Sequence, residues 1–120
     1  MNSWQHALSS VSKWGGEPEL YHPIHLMIDS SKSGMGDIRH RAMFHHTEGT
    51  FLMEKIFGPY IQVGNRQVPV RDVAERHIVE DLGFLPTFQW WMSHMDINPA
   101  MGGKGKGTVR KLNELRRKND

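Results

Sequence analysis

The sequence predicts a mainly α protein: one compact helical domain of about five helices, with one short β-hairpin near residues 60–70 and a basic C-terminal extension. Three observations predict it. Apolar residues recur at a spacing of three and four through most of the chain, the period of an amphipathic helix. That period breaks at "YIQVGNRQVPV", where β-branched and aromatic residues flank Gly64-Asn65. Charge is also uneven. Residues 1–100 hold 8 Lys/Arg against 11 Asp/Glu, a net −3, whereas residues 101–120 hold 7 against 2, a net +5.

Trp4, Ala7, Leu8, Val11 and Trp14 mark an amphipathic helix over 3–14, stopped by Gly15-Gly16. "GGEPEL" is a turn. Pro23 suits the first turn of a second helix, where its missing N–H is not needed; that helix runs through "PIHLMIDSS" and fades at "SKSGMG". Asp37 caps a third helix, 37–57, ended by Gly58-Pro59. Its core-facing line is Ile38, Ala42, His45, Gly49, Leu52 and Ile56, with Met43, Thr50, Met53 and Phe57 beside it. The hairpin strands are 60–63 and 67–70, and Pro69 makes the second an edge. "RDVAERHIVEDLG" is a fourth helix closed by Gly83, with Ala74, Ile78 and Leu82 sharing a face with His77 and Asp81. Pro86-Thr87 opens a fifth helix whose Phe88, Trp91 and Met92 pack inward. The helical domain therefore covers 1–97, a Gly-rich linker 98–107, and a basic helical or disordered tail 108–120.

The composition excludes whole classes of chemistry. With no cysteine there is no disulfide, no thiolate metal site and no cysteine nucleophile. No apolar run approaches the roughly 20 residues of a membrane span. The N-terminus lacks the basic and unbroken apolar regions of a signal peptide. The expectation is a cytoplasmic protein of a bacterium or a phage (host cytoplasm if phage-encoded), with no membrane partner.

Histidine is abundant: eight in 120 residues, about three times the ordinary share. His25/Asp29 and His77/Asp81 each stand four apart, one above the other on a helix face. His45 adds an imidazole on an apolar stripe, and His46 lies about 100° round the same helix. Imidazole and carboxylate are the natural ligands of a divalent metal in a thiol-free chain. His25, His45, His46, His77 and Asp81 are the candidate ligands, for Zn, Mn or Fe. Histidines and aspartates gathered between helices are similar to those of HD-type metal phosphohydrolases, although the adjacent His-Asp of that group is absent. Glu48 and Glu80, each in a His-x-x-Glu spacing that reverses the Glu-x-x-His of di-iron bundles, are the candidates for catalytic acid or base. The structural alternative for each His/Asp pair is a satisfied polar pair, contributing roughly 0.3–1 kcal/mol if exposed.

Lys32, Arg39, Arg41 and Arg71 are candidates to hold a phosphate or carboxylate. Arg76 has Asp72 one turn earlier and reads as a helix-face pair. Adjacent Trp90 and Trp91 cannot both face one core, so one is exposed to stack on a base or a partner, or to cover the core edge. In the tail, Lys104, Lys106, Arg110, Lys111, Arg116, Arg117 and Lys118 would neutralise nucleic-acid phosphates, non-specifically and with steep salt dependence. "GGKGKG" lacks the spacing of a P-loop.

The phrases "HPIH", "DSSK", "RHRAMFHH", "FGP" and "VPVRDVAERHIVEDLGFLPT" together resemble a family of small phage and bacterial proteins of unknown function, over roughly residues 20–95. The pattern falls on His22, His25, Asp29, Ser30, Lys32, Arg39, His40, Arg41, His45, His46, Arg71, Asp72, His77, Glu80 and Asp81. The resemblance implies no activity. The expected function is a metal-binding protein acting as a hydrolase on phosphorylated or nucleic-acid substrates. The alternatives are a non-catalytic factor binding a host protein or nucleic acid through the tail, and a buried histidine network serving structure or pH sensing.

Overall fold

The computed structural model describes residues 1–103; the basic residues of the tail, from Lys104 on, lie outside the described residues. Helix α1 (Ser3–Trp14) starts at a reciprocal cap. The Asn2 side chain accepts the Gln5 N–H and the Gln5 side chain accepts the Asn2 N–H, each at 2.8 Å. The helix ends at Gly15, φ +83°. The buried Tyr21 donates its hydroxyl to the Gly15 carbonyl at 2.7 Å, tying α1 to the start of α2 (His22–Ile28). Asp29 closes α2 and a 3₁₀ turn, Ser30–Ser33, follows.

The single helix expected over 37–57 is instead three pieces: a 3₁₀ turn Ile38–His40, α3 (Arg41–Phe44) and α4 (Thr47–Phe57). At the break the His46 N–H donates to the Phe44 carbonyl at 2.9 Å around His45 (φ −83°, ψ 68°), an inverse γ-turn. The His46 side chain then caps α4, its Nδ1 accepting the Gly49 N–H at 3.0 Å. The turn is so tight that a Cβ on Gly49 would lie 1.9 Å from the Phe44 carbonyl oxygen, so only glycine fits there. The continuous apolar line drawn through this segment is thereby broken. Met53, Gly49 and Thr50 are buried while Ile38, Leu52 and Ile56 are exposed.

Strands β1 (Tyr60–Val63) and β2 (Arg66–Pro69) pair antiparallel, Val63 opposite Arg66, across Gly64-Asn65 with Gly64 at φ +63°. The second strand ends one residue earlier than expected because Val70 already opens α5 (Val70–Leu82). Gly83 stops α5 in the left-handed conformation. Thr87 caps the short α6 (Phe88–Met92), accepting the Trp90 N–H at 3.0 Å. A last 3₁₀ turn covers Pro99–Gly102.

Helices α4 and α5 pack along each other, and α2 lies against α1, α4 and α5. The apolar core comprises Ala7, Tyr21, Ile24, Ile28, Met53, Val63, Val68, Val70, Val73 and Ala74. Beside it the same helices bury a polar half: His6, Ser10, His25, Asp29, His45, Thr50 and His77. Helix α1 consequently turns His6, Ala7 and Ser10 inward and leaves Trp4 and Leu8 exposed, rotated from the face its large apolar residues suggest. Phe88, expected inside, is also exposed. Among the described residues no helix is long and apolar enough to cross a membrane.

Candidate metal centre

Helix α5 carries His77 and Asp81 one turn apart, with His77 Nε2 3.2 Å from Asp81 Oδ2. Asp29 arrives from the end of α2, its Oδ1 3.3 Å from His77 Nε2. The γ-turn at His45 aims the fourth side chain inward: its Nε2 lies 2.9 Å from Asp81 Oδ2 and 3.6 Å from Asp29 Oδ1. Two imidazole nitrogens and two carboxylate oxygens, from three separate stretches of chain, thus lie within 4.8 Å of one another. A tetrahedral shell with bonds of about 2.0–2.1 Å has edges of roughly 3.3–3.4 Å. Four of its six edges, the nitrogen–oxygen separations of 2.9–3.6 Å, bracket that value, and the other two are within 4.8 Å.

The electrostatics favour a cation. Burying one ionised carboxylate costs several kcal/mol unless it is paired, and this pocket buries two. Burial works to raise the Asp81 carboxyl, but hydrogen bonds from His45, His6 and His77 outweigh it and hold the group far below the usual carboxylate range. Asp29 is likewise lowered, burial being overcome by the His77 hydrogen bond. His77 is raised, because Asp29 and Asp81 outweigh its burial, whereas burial lowers His45 despite Asp81. Among the described residues Asp29 Oδ2 is buried without a hydrogen bond, and Lys32 Nζ stands 3.6 Å from it. The donor set, two imidazoles and two carboxylates, fits a divalent ion.

A family model described as a domain of unknown function, DUF6915, matches residues 1–101. The chain belongs to the DUF6915 family. The match starts at residue 1 and so includes α1 as well as the stretch whose phrases carry the resemblance. No curated protein and no solved structure matches the chain.

Within this DUF6915 domain the candidate ligands separate. His45, His77 and Asp81 converge. His25 stands one step outside, its Nδ1 2.8 Å from His77 Nδ1 and its Nε2 2.8 Å from Ser10 Oγ. Burial pushes its pKa down to about 2, with His77 and His6 adding to the shift. His46 points away from the centre, because capping α4 engages Nδ1 and the Met43 carbonyl takes Nε2 at 2.9 Å. Glu48 is exposed and accepts the Phe88 N–H at 2.7 Å, pinning α6 to α4. Glu80 faces His6 Nδ1 at 3.2 Å and accepts from Ser9, outside the ring of donors.

The four cations also part company. Lys32 lies beside Asp29, and Arg41 reaches within 4.0 Å of Asp81 Oδ1. Arg39 is exposed and bound to Asp37 at 2.8 Å. Arg71 is on another face, near Glu54 at 3.9 Å and over the Phe51 ring at 4.0 Å. Arg76 donates to Ser9 rather than pairing with Asp72.

Sequence reasoning left out of the ligand set three residues that the fold brings to the centre, Asp29 as a donor and His6 and His40 beside the donors. Asp29 had a signal, the spacing from His25, but it meets His77 instead of its own helix partner. His6 had none: its Nε2 lies 3.0 Å from Asp81 Oδ1 across 75 positions. His40 stands edge-on to His45, ring centroids 5.6 Å apart, and lines a cavity of about 440 Å³ with Met35, Met43, Phe88 and Met92. The Trp91 indole donates to the His45 carbonyl at 2.8 Å and so holds the γ-turn from α6.

Proposed function

We propose that this DUF6915 protein binds one divalent cation (zinc, manganese or iron) through Asp29, His45, His77 and Asp81, and uses it to hydrolyse a phosphate ester. The observation that carries the reading is the convergence of those four donor atoms within 4.8 Å in a buried pocket. Two carboxylates and two neutral imidazoles would balance a charge of +2 on the ion. A divalent ion held by these four donors would need a further coordination position for a water, whose pKa it would lower to supply a hydrolytic nucleophile. Lys32 and Arg41, beside Asp29 and Asp81, are the cations placed to hold an anionic substrate at the rim.

The test is metal analysis of the purified protein, a titration with Zn²⁺, Mn²⁺ and Fe²⁺, and melts with and without chelator. Near one equivalent per chain, a chelator-sensitive melt and loss of both in Asp81→Asn are expected. Turnover of p-nitrophenyl phosphate and its diester then tests the hydrolytic part, with loss in Arg41→Ala. Absence of a stoichiometric ion together with a melt indifferent to chelator sinks the reading.

A second reading is attachment to nucleic acid or to a host protein. The exposed aromatic group of Phe84 and Trp90, ring centroids 5.0 Å apart, favours it, and the basic tail supplies phosphate-neutralising charge. Retention on nucleic acid at low salt that survives removal of residues 104–120 and Trp90→Ala removes that version.

A further inference from the structure

A row of buried hydrogen bonds continues behind the four donors. His77 Nδ1, on the ring edge turned away from Asp29 and Asp81, lies 2.8 Å from His25 Nδ1. His25 Nε2 lies 2.8 Å from Ser10 Oγ, and Ser10 Oγ lies 3.1 Å from the His6 carbonyl oxygen. His77, His25 and Ser10 are each completely buried, so no solvent supplies an alternative partner.

Two nitrogens 2.8 Å apart share one proton, so for neutral imidazoles the row runs in one of two directions. In the first, Ser10 donates to His25 Nε2, His25 donates from Nδ1 to His77 Nδ1, and His77 presents an Nε2–H to the carboxylates. In the second, His77 donates from Nδ1 to His25, His25 donates from Nε2 to Ser10, and Ser10 donates to the His6 carbonyl. His77 then presents an Nε2 lone pair. Both directions hold the same number of protons. Only the second lets His77 ligate a metal, and only the second gives the Ser10 hydroxyl an acceptor in the His6 carbonyl.

We propose that His25 and Ser10 are positioning residues of the metal centre: together they take up the His77 Nδ1 proton and fix the tautomer whose Nε2 faces Asp29, His45 and Asp81. This rests on the metal-binding reading above. A metal-bound imidazole ordinarily donates its other N–H to a carboxylate, a carbonyl or water. Here a second, neutral imidazole fills that place and must itself be held in one tautomer, which is the task of Ser10. The His25/Asp29 spacing in the sequence thus marks two residues of one centre, one a ligand and the other behind a different ligand. Among the described residues His45 has no such partner, since its Nδ1 is buried without a hydrogen bond and Trp91 holds it by the backbone instead.

The test uses the full chain and zinc alone. Zinc titration of wild type decides the metal reading; the variants and a long-range ¹H–¹⁵N imidazole spectrum decide the inference. His25→Leu removes the acceptor and is expected to weaken zinc binding 10–100-fold. His25→Asn puts an amide oxygen where Nδ1 stood and recovers most of the loss. Ser10→Ala, a smaller change that keeps the fold if His25→Leu does not, gives an intermediate loss. In the zinc-bound wild type the spectrum shows the proton of His77 on Nδ1 and that of His25 on Nε2. If wild type binds zinc while Leu and Asn at position 25 behave alike, or His25 carries its proton on Nδ1, the positioning role is overturned and the metal reading stands. If wild type binds no zinc, both fall together.

Discussion

His45 Nε2 lies 2.9 Å from Asp81 Oδ2, while the next residue, His46, turns its ring the other way to cap α4. Two adjacent histidines of one chemistry are divided by a single γ-turn into a candidate ligand and a helix cap. The division gives paired expectations. His45→Ala abolishes tight metal binding. His46→Ala leaves metal binding within a few-fold and costs about 1 kcal/mol of stability, the usual worth of a cap. His46→Asn restores part of that. Calorimetric metal titration beside denaturant melts separates the two effects, and equal losses of metal affinity in both variants refute the division.

Asp81 holds three imidazoles at once: His6 at 3.0 Å, His45 at 2.9 Å and His77 at 3.2 Å. Removing one partner of a buried ionic group strands the others and costs about 3–5 kcal/mol. Asp81→Ala is therefore expected to lower the melting temperature of the metal-free protein by ten degrees or more, and to make the melt insensitive to added zinc. A variant that melts within two degrees of wild type removes Asp81 from the centre of the network.

Gly49→Ala places a methyl group into the Phe44 carbonyl, so the γ-turn must open. Loss of several kcal/mol of stability is expected, with weakened metal binding even though residue 49 touches no donor. Trp91→Phe is the milder counterpart. It deletes the bond to the His45 carbonyl, which costs about 1 kcal/mol. Thermal melts and zinc titration of both variants measure how far the turn governs the centre.

Acid should destabilise the metal-free protein. His25 is neutral in the fold, its pKa near 2, against about 6.5 in the unfolded chain. Below pH 6.5 the unfolded state therefore binds a proton the folded state refuses, and stability falls as pH falls. His45, also lowered, acts in the same sense. Asp29 and Asp81, lowered in the fold, add stability that is present above about pH 4 and lost below it. His77 acts oppositely: its raised pKa gives stability fully present below pH 6.5 and lost as pH rises through the folded value. The melting temperature should peak near neutral pH with the steeper limb on the acid side. A flat profile between pH 4.5 and 6.5 contradicts this account.

Much of the architecture is written in local chemistry. Asn2, Asp37 and Thr87 cap helical segments, Gly15 and Gly83 stop helices, and Gly64-Asn65 turns the hairpin, because these depend on neighbours a few positions away. The absence of cysteine and the wealth of histidine restrict any metal ligands to imidazole and carboxylate. The His77/Asp81 pair is equally local, since one helical turn places both on one face.

Tertiary structure decided the rest, for a physical reason. Periodicity records that a helix face is buried, not what lies opposite. Helix α1 turns in His6 and Ser10 instead of Trp4 and Leu8 because Glu80, Asp81 and His25 wait across the interface to satisfy them. The break at His45 carries no proline; Gly49 permits it, and the inward pull of two carboxylates on one side and the Trp91 indole on the other rewards it. Whether an imidazole binds, caps or relays depends on backbone direction at one residue and on partners up to 75 positions away, and those are fixed only when the helices pack.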